Sequence, residues 1–166
     1  HIEGNILEAV KYYKYFTAKG YKDPKVFSNY GSILKDLGEL NESEKILKKA
    51  LELKPHFAEA HFNLSNTFKD LGKLEEAEKC ALRAIELKPD LAEAHNNLGN
   101  IFTKIGNLKE AEKSIRKAIE LKPSYAYAYY NLGLILNNIG NLDKAEQSFL
   151  QAIQLKPDFP DAYFNL

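Results

Sequence analysis

The sequence has no methionine and a single cysteine, and its Lys+Arg and Asp+Glu counts are equal at 23 each. No stretch approaches the roughly 18 consecutive apolar residues of a membrane span. Each of these absences excludes something. One cysteine cannot close an internal disulfide, and no Cys/His pair has zinc spacing. Zero formal net charge leaves nucleic acid or an acidic membrane little to steer by. No glycine-rich phosphate loop, serine nucleophile elbow or Ser/His/Asp set occurs. No signal-peptide pattern opens the chain. These absences lead to the expectation of a cytoplasmic, non-enzymatic protein without cofactor, metal or membrane insertion. His1-Ile2-Glu3 lacks an initiator methionine and reads as a tag remnant, and the end at Leu166 reads as the edge of an excised fragment.

What is present is a period. Apolar residues make up 45% and charged residues 28%, a globular balance rather than a disordered one. The run Leu-Lys-Pro ends at Pro55, Pro89, Pro123 and Pro157, always 34 residues apart. The clearest copy is Ala92 to Tyr125; taking Ala92 as column 1, complete copies start at Pro24, Ala58, Ala92 and Ala126. A fixed period of this length signals stacked units rather than one core.

Each copy carries two helical patterns. Leu98, Phe102 and Ile105 recur at spacings of four and three, one apolar stripe. Gly106 follows as a left-handed helix terminator, and glycine recurs in that column at Gly4, Gly38, Gly72 and Gly140. Asn107 is placed to cap the next helix, with Glu110 completing a capping box. Leu108, Ala111, Ile115, Ala118, Ile119 and Leu121 mark a second buried face, and Pro123 cannot continue it. Ser124 is placed to cap the following helix. Small residues at Gly31, Ser65, Gly99 and Gly133, and at Ser43, Ala77, Ala111 and Ala145, match helices packed at about 8–10 Å. The expected fold is an all-α solenoid of antiparallel helix pairs.

These columns resemble the tetratricopeptide repeat, in spacing and in helix-turn-helix form. The resemblance covers Gly4 to Leu166. It assigns a partial repeat to residues 4–23, complete repeats to 24–57, 58–91, 92–125 and 126–159, and a truncated repeat to 160–166. His61 and His95 stand where the family often has tryptophan. Phe16 occupies the alanine column and Tyr21 the proline column, so the first half-repeat is expected to pack or end differently. The family implies a right-handed superhelix whose first helices line a concave groove that binds peptides or partner proteins.

The groove columns can then be read off. Column 6 is asparagine in every copy: Asn29, Asn63, Asn97, Asn131 and Asn165. Column 9 adds Asn66 and Asn100, and Phe62, Tyr127 and Tyr130 add aromatic surface. An asparagine amide offers a carbonyl acceptor and two N–H donors, matching a peptide group, so a ladder of them can hold an extended backbone. Aromatic neighbours add apolar contact and selectivity. The alternative role is architectural, with each asparagine bonding the adjacent repeat's backbone; both can hold. The ladder is similar in style to the repeat regions of O-linked N-acetylglucosamine transferases, where such asparagines hold the substrate backbone. Nothing here resembles their sugar-transfer domain.

Other candidates are weaker. A two-carboxylate clamp would need cations at columns 2, 5 and 6; Ser28, Ser32, Asn63, Glu93 and Asn97 supply only asparagine matches. RNA-binding helical repeats need positive charge that this chain lacks. His61 and His95 share a column with Phe27, Tyr129 and Tyr163 and read as packed aromatic substitutes, not zinc ligands. Cys80 reads as a small inert hydrophobe, and Tyr12, Tyr13 and Tyr15 as packing residues. Incomplete repeats at both ends suggest head-to-tail self-association. The resulting expectation is a protein-interaction scaffold gripping an extended peptide or partner protein. The alternative is a structural or self-associating spacer in a larger protein that presents substrates to a fused enzyme.

Overall fold

A computed structural model describes residues 2–166; of the three residues read as a tag remnant, His1 lies outside the described residues. The described residues form ten helices and no strands. They are α1 Ile2–Ala18, α2 Pro24–Asp36, α3 Leu40–Leu53, α4 Ala58–Asp70, α5 Leu74–Leu87, α6 Ala92–Ile105, α7 Leu108–Leu121, α8 Ala126–Ile139, α9 Leu142–Leu155 and α10 Pro160–Phe164. They divide into two compact units, His1–Leu87 and Lys88–Leu166.

In the first unit α2 pairs with α3 and α4 with α5, and α4 also packs on both α2 and α3. Phe27, Tyr30, Leu34, Ile46, Ala50, Phe57 and Ala60 form its core, with Val10 and Tyr13 of α1 against it. In the second unit α6 pairs with α7 and α8 with α9, while α8 also packs on α6 and α7. Ile115, Ala118, Ala128, Leu132, Ile135, Leu136 and Phe149 are buried together there.

The helix boundaries follow from local chemistry. Gly106 takes φ 89°, its N–H bonds Thr103 O at 3.1 Å, and Asn107 N–H bonds Phe102 O at 2.9 Å. That is the glycine-terminated helix end expected from the sequence, with two otherwise orphaned carbonyls satisfied. Asn107 Oδ1 then accepts from Glu110 N at 3.4 Å, capping α7. The proline ends are equally regular: α3, α7 and α9 stop at Leu53, Leu121 and Leu155, and the lysine before each proline leaves the helical region, with φ from −141° to −139° and ψ from 84° to 89°.

The helix crossings explain the small-residue columns. A Cβ added to Gly133 would lie 2.5 Å from the Phe149 ring, and one on Gly99 would lie 2.5 Å from Ile115 Cδ1. Where serine replaces glycine or alanine, its hydroxyl is used. Ser65 Oγ donates to Ala77 O at 2.7 Å, and Ser43 Oγ donates to Gly31 O at 2.7 Å.

Four expectations are corrected. Gly4 lies inside α1 and ends no helix; instead Gly20, at φ 75°, closes α1, with Tyr21 N–H bonding Phe16 O at 3.3 Å. Phe16, in the alanine column, packs differently as expected: its ring is tilted against Tyr21 and edge-on to Phe27, with centroids 5.2 and 6.4 Å away. Ser124 does not cap α8: the N-cap residue is Tyr125, without a side-chain bond. Ile105 is 46% exposed, whereas Ile101, one turn earlier on α6, is fully buried. Among the three tyrosines of α1, Tyr13 stacks on Tyr30 at 5.2 Å whereas Tyr12 and Tyr15 are exposed.

Candidate peptide-binding site

In the first unit the candidate residues sit on α2 and α4. Asn63 Nδ2 donates to Ser28 Oγ at 3.1 Å and approaches Ser28 O at 3.5 Å. A backbone carbonyl can only accept, so the amide nitrogen of Asn63 must face α2. Asn63 O in turn accepts from Thr67 Oγ1 at 3.1 Å, and Thr67 Oγ1 meets Ser43 Oγ at 2.9 Å in the buried interior. Asn66 is half-buried and its Oδ1 accepts from Lys69 Nζ at 3.3 Å. Phe62 is half-buried, and Asn29 is exposed.

The second unit repeats the relationship on α6 and α8. Asn131 Nδ2 donates to Asn96 Oδ1 at 2.9 Å, and Asn165 Nδ2 reaches Tyr130 Oη at 3.5 Å. Asn63, Asn131 and Asn165 thus each turn the amide nitrogen to the residue 35 positions earlier. Asn97 is only 3% exposed and is engaged within the protein. Asn100 is half-buried.

The amide carbonyls behave differently. Oδ1 of Asn63 and of Asn131 accepts no bond within the described residues, yet neither is a buried orphan, so both reach solvent. Each is a pinned hydrogen-bond acceptor. The architectural role expected from the sequence is therefore present, but mainly through side chains of the preceding repeat rather than its backbone. In Asn63, Asn131 and Asn165 it uses the nitrogen end of the amide.

An aromatic ledge flanks Asn131. The Phe159 ring lies 4.9 Å from both Tyr127 and Tyr130, and Tyr130 lies 5.9 Å from Phe149. Lys156 Nζ donates to Tyr127 Oη at 2.7 Å and sits 4.6 Å above the Tyr127 ring and 4.8 Å above Phe159. Sequence reasoning named Tyr127 and Tyr130 but missed Lys156 and Phe159. Columns 31 and 34 belong to the end of the second helix and to the turn; the turn chemistry masks their contribution to the ledge. One repeat earlier Lys122 bonds Glu93 at 2.8 Å and sits over Tyr125 at 4.9 Å. That bond holds the Glu93 carboxyl below the usual range, whereas burial, with the Glu93 charge behind it, pushes the Tyr125 phenol up to about 12.

The histidines serve the turns. His61 Nε2 lies 2.9 Å from Pro55 O and His95 Nε2 3.0 Å from Pro89 O, so each imidazole ties its helix to the preceding proline turn. No group of three metal-ligating side chains occurs among the described residues. Burial pushes the Cys80 thiol up to about 11, which keeps it protonated and unreactive near neutral pH. No described helix is long and apolar enough to cross a membrane.

Comparison with known proteins agrees with this architecture. The tetratricopeptide-repeat profile matches residues 92–125 and 126–159, and a second repeat profile of the same type matches 31–72 and 66–106. The chain belongs to the tetratricopeptide-repeat family. Among solved structures it is similar to MamA, with 26% identity, 94% of this chain and 91% of that one covered, and a TM-score of 0.78. It shares its fold with a thermophilic tetratricopeptide-repeat protein of Thermus thermophilus, TTC0263, at 20% identity, 98% and 89% coverage and a TM-score of 0.83. The fold also matches pilF of Pseudomonas aeruginosa at 22% identity, 86% and 65% coverage and a TM-score of 0.81. No curated protein sequence matches the chain significantly. Membership of this family supports a protein–protein interaction scaffold. The likeness to O-linked N-acetylglucosamine transferases is one of style only.

Proposed function

We propose that each unit of this chain binds an extended segment of a partner protein along the first helices of its repeats, and that it acts by binding rather than catalysis. The observation that carries the reading is the pair of pinned acceptors. Asn63 and Asn131 each use the amide nitrogen internally and turn Oδ1 to solvent. An extended backbone offers N–H groups whatever its sequence, and a pre-oriented acceptor loses little entropy on meeting one. Phe62 beside Asn63, and Tyr127 and Tyr130 beside Asn131, supply apolar area next to the acceptors. Asn29, Asn66 and Asn100 extend the polar surface, and Asn97 is buried and engaged within the protein. The repeats we assign are 24–57, 58–91, 92–125 and 126–159, with partial ones at 4–23 and 160–166, and the setting we assign is the cytoplasm.

The test is fluorescence anisotropy with a labelled extended-peptide library against the wild type, Asn63→Ala, Asn131→Ala and the double variant. Weakened binding with unchanged far-ultraviolet circular dichroism supports the reading. Unchanged affinity would leave the asparagines a purely architectural role, as in a spacer that presents substrates to a fused enzyme.

A second reading, self-association, is favoured by exposed apolar side chains. Phe164 is 91% exposed, and Tyr163 beside it and Tyr12 and Tyr15 on α1 are also exposed. Sedimentation velocity over a hundredfold concentration range tests it; an invariant monomer would rule it out.

A further inference from the structure

Column 31 is lysine in every complete copy, and Lys122 and Lys156 of the second unit meet different partners. Lys122 gives its charge to Glu93, the column-2 residue of its own repeat. In the next repeat column 2 is Tyr127. Lys156 therefore bonds a phenol oxygen instead of a carboxylate and makes no ion pair among the described residues. An ammonium has three N–H donors, so one directed at Tyr127 Oη leaves two. The faces of Tyr127 and Phe159 hold the cation from below without cancelling its charge. Asp161 lies close enough to Tyr130 to help raise its phenol pKa behind the larger effect of burial, but it forms no pair with Lys156.

We propose that Lys156, with Tyr127 and Tyr130 above the buried Phe159 ring, forms a subsite for an Asp or Glu side chain of the bound polypeptide, with an adjacent apolar side chain lying on Tyr127 and Tyr130. Charge complementarity selects the occupant: the position filled by Glu93 one repeat earlier is missing its carboxylate here, and a ligand supplies it. Tyr127, Tyr130 and Asn131 all lie on α8, and Lys156 at the C-cap of α9 bonds Tyr127, which brings the cation to the helix that carries the acceptor. The subsite rests on the peptide-binding reading above and adds the chemistry of the partner.

The experiment uses the full chain and fluorescein-labelled Ala/Ser dodecapeptides with amidated C-termini, carrying a central Leu-Asp or Leu-Asn pair. A third peptide has Leu-Asn at its centre and a free C-terminal carboxylate. The Leu-Asp peptide is expected to bind about fivefold tighter than Leu-Asn, the size of a well-placed surface ion pair. Lys156→Gln should abolish that preference. Tyr127→Glu should abolish it too while leaving the lysine in place, because it recreates the Glu93–Lys122 pair. Lys117→Gln on the outer helix α7 makes the same charge change elsewhere and should leave the preference intact.

Equal binding of the Asp and Asn peptides, a preference that survives Lys156→Gln, or loss of it in Lys117→Gln would overturn the proposal. So would tighter binding of the free-carboxylate peptide than of Leu-Asp, since that assigns the site to a chain terminus. No binding of any peptide at millimolar protein overturns it together with the peptide-binding reading. Asn131→Ala separates the two: if it leaves all affinities unchanged while Leu-Asp keeps its advantage, the asparagine reading fails and the lysine subsite stands.

Discussion

Asn131 donates to Asn96 across two helices, at 2.9 Å and a separation of 35 residues. The bond joins column 6 of one repeat to column 5 of the repeat before it, and the same pairing joins Asn63 to Ser28. The ladder is therefore part of the framework before any ligand arrives. Asn131→Ala is expected to cost about 0.5–1.5 kcal/mol in urea unfolding, the net worth of one such bond. Asn96→Ala should cost a similar amount, and the double variant less than the sum, because the two side chains share one interaction. Strict additivity would mean that the bond contributes nothing.

Gly133 faces the Phe149 ring, and any Cβ there displaces it. Gly133→Ala is expected to lose about 1–3 kcal/mol, the usual cost of overpacking. Phe149→Leu in the same chain should recover part of that loss by vacating the ring position. Urea midpoints of the two single variants and the double variant decide it; a fully stable Gly133→Ala would contradict the packing described for α8 and α9.

Ser43 and Thr67 form a buried hydroxyl pair where the second unit places Ala111 and Ile135 in its core. Thr67→Val should cost about 1 kcal/mol, since it removes a hydroxyl whose single proton serves either Ser43 Oγ or Asn63 O. Ser43→Ala combined with Thr67→Ile copies the apolar solution and should be near neutral, because no hydroxyl is left without a partner. A thermal melt in which the double variant falls by the sum of the singles would refute this.

His61 keeps its imidazole neutral. Its Nε2 serves Pro55 O, while Nδ1 is buried without a partner. Burial lowers its pKa from 6.5, and the nearby Arg83 and His56 lower it further, outweighing the Pro55 bond that opposes them. For a base with a lowered folded pKa, the unfolded chain binds the proton more readily. The associated stability is present above 6.5 and is lost as pH falls through the folded pKa. His61→Phe, borrowing Phe27 from the same column, should flatten the loss of stability between neutral and mildly acidic pH. An unchanged pH profile of the thermal midpoint would show that His61 is not its source.

Glu44 acts in the opposite sense from the acid side. Bonds from Lys48 at 2.6 Å and Lys73 at 2.7 Å hold its carboxyl below the ordinary 4.5. Its contribution is present above 4.5 and fades as pH drops through the lowered value. Lys73→Met should reduce stability at neutral pH by at most about 1 kcal/mol, because the pair is partly solvated, and added salt should shrink the difference. A larger loss that persists in high salt would point to lost packing of Lys73 on Phe68, whose ring lies 5.6 Å from Nζ.

Much of the fold was legible because a period of 34 repeats the same local physics. Glycine ends the first helix, asparagine or a neighbour starts the second, proline ends it, and small residues mark each crossing. Reading failed where one residue type had two uses. Gly4 matches the turn column, yet it lies within α1. Ile105 completes an apolar spacing but lies on the solvent side of α6, and Ile101 fills the core instead. Serine is a plausible cap, but at Ser124 the turn carries the chain one residue further before α8 begins.

The sequence alone determined the helix pairs, their ends and the column of asparagines, because each depends on residues a few positions apart in a recurring register. Tertiary structure decided what the asparagines do. Only when α4 packs on α2, and α8 on α6, does the amide nitrogen find its partner 35 residues away and leave the carbonyl outward. The same holds for Lys156, whose charge stays unpaired because the residue facing it is Tyr127, 29 positions earlier, and not a carboxylate. Spacing predicts faces; the direction of a side-chain dipole and the partner of a charge are settled by packing.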